Sequence, residues 1–294
     1  MGLPNITPML KSPKVLHLEP TDVCQAACPL CARETNPQFN KSKHHHLTVE
    51  QISKHCDDKT VRGLSKAFAC GDYGDPAAAK YLFEIFRWLR SINPTIILGM
   101  NTNGGIQNED WWKELSLILN HPLDYVIFSI DGLQDTNHIY RRGVEWSKVM
   151  KNAQAFIKGN GSAHWDMLVY RHNESQVDEA IQMAKLMGFR WFRAKVSKRP
   201  LVGELEFPTT WSIPINNFEK IDCHALRENS IYIDARGQLH PCCWLGENLS
   251  SDFRSISEVK PLWKTTKCPS VCKNSCGAPN KTQFESQWRM EIQL

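Results

Sequence analysis

The sequence predicts an α/β chain: an open barrel of six strand-then-helix units, then a small cysteine-rich α+β domain built on a β-hairpin. Three observations carry this. Through the first two thirds of the chain, apolar runs of strand length alternate with segments of helical period. Each run ends in a polar or glycine-rich turn. Cysteine gathers at the two ends: of eleven, three lie between residues 24 and 31 and six between residues 223 and 276.

Val15-Leu16-His17-Leu18 is the first strand. Pro20, Thr21 and Asp22 turn it into a loop that carries Cys24, Cys28 and Cys31. Residues 36–46 are polar and read as a flexible surface segment. Thr48-Val-Glu-Gln51 has the capping-box pattern of a helix start. Residues 67–70 form the second strand and end in a turn over residues 71–76. In the helix expected at 77–89, Tyr81, Leu82, Ile85, Phe86 and Leu89 share one side. The third strand, 95–100, runs into a turn at 101–105, and 111–119 is helical. The fourth strand, 125–129, ends in Ile130-Asp131-Gly132 before a helix at 146–157. The fifth strand is 164–170, the next helix is 177–187, stopped by Gly188, and the sixth strand is 190–196. Parallel strands need such crossovers. In parallel barrels the chemistry sits at the C-terminal ends of the strands, so the cysteine loop and all these turns converge on one face.

Thiolate suits zinc, copper(I) and iron–sulfur clusters. Three thiolates on a four-iron cluster leave one iron to bind something else. A zinc site closed by one of His44, His45 and His46 competes, as does a redox pair at Cys28-Pro-Leu-Cys31.

The Cys-x3-Cys-x2-Cys spacing resembles the cluster loop of the radical S-adenosylmethionine (SAM) superfamily. Gly74-Asp75-Pro76 resembles the segment that holds the SAM amino group, where Gly-Gly-Glu-Pro is usual; Asp is one methylene shorter. Thr102-Asn103-Gly104 is similar to the turn after the third strand. Ser129, Asp131 and Gly132, with His138 and Arg142, resemble the fourth-strand segment that meets the ribose and carboxylate. Tyr170, Asn173 and Glu174 resemble the end of the fifth strand, and Leu30 takes the apolar slot near the adenine. Each motif alone has a plain structural reading: Asp75 as a helix cap, Arg142 as a surface arginine. The resemblance runs from about residue 15 to 196. It implies a partial TIM-like (β/α)6 barrel, a 4Fe–4S cluster at Cys24, Cys28 and Cys31, and SAM on its open iron. It also implies an electron donor such as flavodoxin or ferredoxin, and hydrogen abstraction by a 5′-deoxyadenosyl radical.

Residues 200–217 contain three prolines and no period, and read as a linker. The expected domains are residues 1–198, a linker at 199–222, and 223–294. Residues 230–234 and 239–243 read as a hairpin around a turn at 235–238, followed by a helical piece near 256–263. Cys223, with Gly237-x4-Cys242, resembles the start of the SPASM and twitch extensions of radical SAM enzymes. A full SPASM domain uses seven cysteines, and six remain here. That implies a twitch-like domain with one auxiliary 4Fe–4S cluster on Cys223, Cys242, Cys272 and Cys276. Cys268 is a competing ligand and Cys243 a neighbour; a zinc knuckle is the alternative.

The net charge of +4 and the lack of a dense Lys/Arg run do not call for nucleic acid. No apolar run spans a bilayer. The first residues show no secretory pattern, and Gly2 with Ile6 fits a myristoylation site only loosely. A cytoplasmic enzyme is the expectation, acting on a peptide or protein side chain. The alternatives are oxidation of a small alcohol or carbohydrate, and a non-enzymatic zinc-stabilised interaction module.

Overall fold

β1 (Val15–Leu18), β2 (Lys66–Ala69), β3 (Ile97–Thr102), β4 (Tyr125–Ser129), β5 (Ala163–Val169) and β6 (Trp191–Val196) pair in parallel in chain order. This computed structural model describes residues 12–197, 199–211, 220–246, 253–278 and 290–294. The first residues, Gly2 and Ile6 among them, and 212–217 of the expected linker lie outside the described residues. Crossovers run through helices Val49–Ser53, Asp58–Gly63, Leu82–Ile92, Glu109–Ile118, Trp146–Lys158 and Val177–Met187. The sheet does not close; with β8 (Ser230–Ile233), β9 (Leu239–His240) and β11 (Met290–Gln293) added, its strand order is β11-β6-β5-β4-β3-β2-β1-β8-β9.

The local signals hold where the chain supplies its own partners. Thr48 and Gln51 form the reciprocal capping box. Gly188 ends its helix in the left-handed region (φ 89°), where glycine meets no Cβ penalty. Several boundaries shift, and two of the shifts have a clear local cause. Asp75 caps a short 3-10 turn, Pro76–Ala78, so the following helix starts only at Leu82 and Tyr81 stands at its cap, 39% exposed. Thr95 is held by the Asn93 side chain, so β3 begins at Ile97.

The C-terminal elements are β7 (Lys220–Ile221), β8 (Ser230–Ile233), β9 (Leu239–His240), β10 (Gly277–Ala278) and β11 (Met290–Gln293). The expected hairpin is present as β8–β9, but it does not form a sheet of its own. β8 lies parallel to β1, with Leu18 opposite Ile233, and β11 lies antiparallel to β6. An open barrel leaves unpaired N–H and C=O groups on its two outer strands, and these additions satisfy them. β7 and β10 form a separate two-stranded ladder.

The strands alternate. Leu98, Met100, Val126, Phe128, Phe192 and Ala194 face the helices and are buried. Lys66, Tyr125, His164, Asp166, Arg193 and Lys195 face inward, where they line a cavity of about 520 Å³. The interior is therefore a polar chamber, unlike the packed apolar interior of a closed barrel.

Arg90, on the helix before β3, pairs with Asp124 ahead of β4 at 2.5 Å. The same carboxylate accepts the Leu98 and His121 N–H groups. Asp124→Ala leaves a largely buried guanidinium without its counter-ion and two amides without an acceptor. We expect a loss of about 3 kcal/mol, measured as a lower urea midpoint, with Asp124→Asn losing less because it keeps an acceptor.

Candidate active site

The turns after the parallel strands meet at one end of the barrel. Gly74 is where the β1 and β2 turns touch. A Cβ there would stand 1.9 Å from the Thr21 carbonyl oxygen, so only glycine fits. The Asp75 N–H donates to the Val23 carbonyl at 2.9 Å. Arg33, buried behind the loop, donates to the Asp22 and Tyr73 carbonyls. Residues 36–46 also fold back on the loop and are not merely solvated. Phe39 stacks on Tyr73, and His45 Nδ1 pairs with Asp22 at 2.6 Å. His46 Nδ1 accepts the Lys80 N–H. Two of the three histidines are thus engaged away from the cysteines, and His44 is exposed.

Cys24, Cys28 and Cys31 are buried or half-buried. The Ala26 N–H and Asn103 Nδ2 donate to Cys24 Sγ at 3.3 and 3.6 Å. Arg141 Nη1 lies 3.9 Å from Cys28 Sγ. Burial pushes the Cys24 thiol up to about 12 and Cys31 to about 11, and raises Cys28. Thiolates at such a site need a positive partner in place of the proton, which a metal supplies. Among the described residues no three His, Cys, Asp or Glu side chains close around a single ion. A cluster instead takes one thiolate at each of several irons. The donor set, with cations and N–H groups aimed at the sulfurs, fits such a group.

The Asp75 carboxylate is buried and accepts from Ala77 N–H, Thr102 Oγ1 and Asn103 N–H at 2.9, 2.8 and 2.7 Å. Burial raises its pKa, and these hydrogen bonds oppose the rise. It caps the 3-10 turn and ties the β2 turn to the β3 turn, leaving about one acceptor site of four. Asn103 also exchanges hydrogen bonds with Gln25. Asp131 is fully buried; its carboxylate accepts Arg141 Nε at 2.6 Å and the Leu168 N–H at 2.5 Å. Ser129, Asp131 and Arg141 line the cavity. Burial opposes the charge of Arg141, but Asp131 and Cys28 more than offset it, so its pKa is raised.

Two expected residues sit elsewhere. The Arg142 side chain is exposed, and only its carbonyl meets the loop, accepting the Ala27 N–H. The arginine that turns inward is its neighbour Arg141, drawn by the buried Asp131. Asn173 donates to the Asp131 and Leu168 carbonyls and accepts the Tyr170 N–H. Its amide braces the fourth- and fifth-strand turns. Leu30 is buried, and its carbonyl accepts Arg199 Nη1 at 2.6 Å. Spacing gave no sign of Arg33, Gln25, Glu19 or Arg199. The one available signal for the chamber was Arg193 and Lys195 alternating with apolar residues on β6.

The C-terminal cysteines also converge. Cys223 follows β7 and Cys276 precedes β10, so that ladder sets them side by side, with Asp222 N–H donating to the Cys276 carbonyl. Helix Ser270–Cys276 carries Cys272 and Cys276 four residues apart, on one face. Cys242 follows β9. Its thiol is pushed up to about 12 by burial and by the charges of Cys276, Cys223 and Cys272. Cys268 packs with Cys272, Leu245 and Val259. Cys243 opens the single-turn helix Cys243–Gly246.

The sequence pattern of the Radical SAM superfamily matches residues 18–187. The chain belongs to the radical SAM superfamily. Members carry a 4Fe–4S cluster and SAM. No curated protein matches the sequence. Among solved structures the chain is similar to Streptococcus suis SuiB bound to S-adenosylmethionine, at 14% identity and TM-score 0.58, over 87% of this chain and 66% of that one. SuiB bound to precursor peptide SuiA gives 13% identity and TM-score 0.59, over 87% and 65%. Native anSMEcpe with bound AdoMet and Cp18Cys peptide gives 17% and 0.57, over 88% and 81%. At these identities the likeness is one of fold. The chain spans just under two thirds of the length of SuiB. No described helix is long and apolar enough to cross a membrane.

Glu19, just past β1, accepts the Tyr73 and Gly74 N–H groups and the Tyr232 hydroxyl. Burial, with Asp234 nearby, pushes it up to about 7 from 4.5. The fold therefore favours the protonated acid. The ionised form costs nothing below pH 4.5, the cost grows as pH rises to about 7, and it is constant above that. Glu19→Gln keeps the acceptor and adds a donor toward Tyr232. Relative to wild type, it should gain stability across this window, by up to about 3 kcal/mol at pH 8, read from urea unfolding at pH 5 and pH 8. Equal differences at both pH values would refute the assignment.

Proposed function

We propose that this radical SAM chain carries two clusters and modifies a peptide or protein side chain. The observation that carries the two-cluster reading is the convergence of the C-terminal cysteines: the β7–β10 ladder sets Cys223 beside Cys276, helix Ser270–Cys276 carries Cys272 and Cys276 on one face, and Cys242 follows a hairpin paired with β1. Cys24, Cys28 and Cys31 hold the first cluster and leave one iron for SAM. With an electron from the donor, the bound cluster and SAM would supply one-electron cleavage of the sulfonium C–S bond, giving methionine and a 5′-deoxyadenosyl radical able to take a hydrogen atom from the substrate. Gly74 lets the β2 turn approach the cluster loop, and Asp75 holds that turn and offers its remaining lone pair to the SAM amino group. Asn103 orders Gln25 and Cys24. Ser129 and Asp131 face the ribose and carboxylate, with Arg141 as the cation there in place of Arg142. Leu30 packs near the adenine, and Asn173 acts through Asp131. Cys268 is the reserve ligand of the C-terminal set, which forms the twitch-like extension.

The peptide reading draws support from the fold likeness to SuiB with its precursor peptide and to anSMEcpe with a peptide. The polar chamber favours a second reading, a small alcohol or carbohydrate oxidised inside the barrel. A flavodoxin or ferredoxin in the cytoplasm is the electron donor of this proposal.

Changing Cys24, Cys28 and Cys31 together to Ala should abolish release of 5′-deoxyadenosine from SAM under dithionite. Continued release would sink the first-cluster assignment. Changing Cys223 and Cys242 together should lower iron by about half, since one of two four-iron clusters is lost. SAM cleavage should survive while substrate turnover fails. Unchanged iron in that double variant, or zinc in the wild-type protein, would defeat the auxiliary cluster.

A further inference from the structure

Arg199 stands just beyond β6, and two contacts set it apart from a surface arginine. Its Nη1 donates to the Leu30 carbonyl at 2.6 Å, inside the Cys28–Cys31 loop. Its guanidinium lies over the Trp244 ring, 5.4 Å from the centroid. Trp244 belongs to the single-turn helix Cys243–Gly246, directly after Cys242. That turn is fixed on its other sides. Leu245 is buried with Cys268 and Cys272, and Gly246 abuts the Tyr232 ring so closely that a Cβ would stand 2.5 Å from it. The turn is therefore a wedge, with Leu245 in the C-terminal cysteine core and Trp244 against Arg199.

We infer that Arg199 is a positioning residue that couples the C-terminal cysteine site to the first cluster through Trp244. Filling the C-terminal site fixes Cys242, which fixes the turn. The turn presents Trp244, and the tryptophan face holds the guanidinium over the Leu30 carbonyl. A fixed cation beside cluster thiolates favours the more negative, reduced cluster, so the coupling raises the first cluster's potential. The coupling rests on the two-cluster reading, whereas the charge effect of Arg199 on the first cluster does not. A failure of either is therefore seen separately.

The test uses the anaerobically reconstituted full chain and follows the first cluster's midpoint potential by electron paramagnetic resonance. Arg199→Gln should lower the reduction equilibrium about tenfold, or about 59 mV for one electron. Arg199→Lys keeps the charge and most of the potential but loses the planar stack. Trp244→Ala should lower the potential part of the way in the wild-type background. It should do nothing further once Cys223 and Cys242 are replaced by Ala, because the wedge is then already released. Iron content of that background reports separately whether the auxiliary cluster exists. An unchanged potential in Arg199→Gln overturns the charge role. Equal effects of Trp244→Ala in both backgrounds overturn the coupling. If Arg199→Gln does not fold, as judged by circular dichroism, the Trp244→Ala comparison decides the coupling alone.

Discussion

The site depends on one steric constraint: two turns must touch where Gly74 meets Thr21. No side chain fits between them. Once they touch, the hydrogen bonds around the contact follow. Asp75 N–H reaches Val23, Arg33 reaches both Asp22 and Tyr73, and Glu19 gathers the Tyr73 and Gly74 amides. These are main-chain groups that would otherwise be buried without partners, at a cost of about 1–3 kcal/mol each. The cysteine loop has no regular structure of its own before helix Ala32–Thr35, so its shape comes from its neighbours. A side chain at residue 74 would separate the turns and release the loop that carries Cys24.

The inward faces of the strands impose a second condition. Asp166 and Arg193 pair bidentately at 2.7 Å across β5 and β6, and Asp131 pairs with Arg141 at the rim. Buried pairs of this kind rarely add net stability over a well-packed apolar alternative. Their use here is to keep a chamber lined with fixed charges and open to a polar ligand. The outward faces, packed under the helices, carry the apolar burial that holds the barrel together. The two functions separate because strand side chains alternate with a period of two.

The six parallel units, their order and the cysteine loop were legible in the sequence because each rests on local signals: period, caps and turn residues. Thr48 with Gln51 and the stop at Gly188 are of that kind. What stayed hidden depends on contacts across the fold. Nothing in adjacent Arg141 and Arg142 tells which one turns inward; the buried carboxylate of Asp131, ten residues earlier, decides it. Asp75 and Asn173 matched a ligand pattern, yet most of their hydrogen-bonding capacity serves neighbouring turns. Asn36 to His46 looked solvated because its anchors, Tyr73 and Asp22, lie on other segments. The hairpin was readable from its turn residues, but its partner strand, some two hundred residues away in β1, was not.

That partner strand bears on how the two cysteine sets are placed. β1 leads out of its C-terminal end into Cys24, and its free edge receives β8, whose hairpin partner leads to Cys242. Cys24 and Cys242 are thus both reached from one strand through hydrogen-bonded registers. A slip of one residue between β1 and β8 would turn Tyr232 to the opposite face. It would break the Tyr232 hydrogen bond to Glu19 and the edge contact of Tyr232 with His17, and remove the ring against which Gly246 packs. The register is therefore locked by buried groups on the same face as the chamber. The sheet thus sets how the hairpin that leads to Cys242 lies against the strand that leads to Cys24.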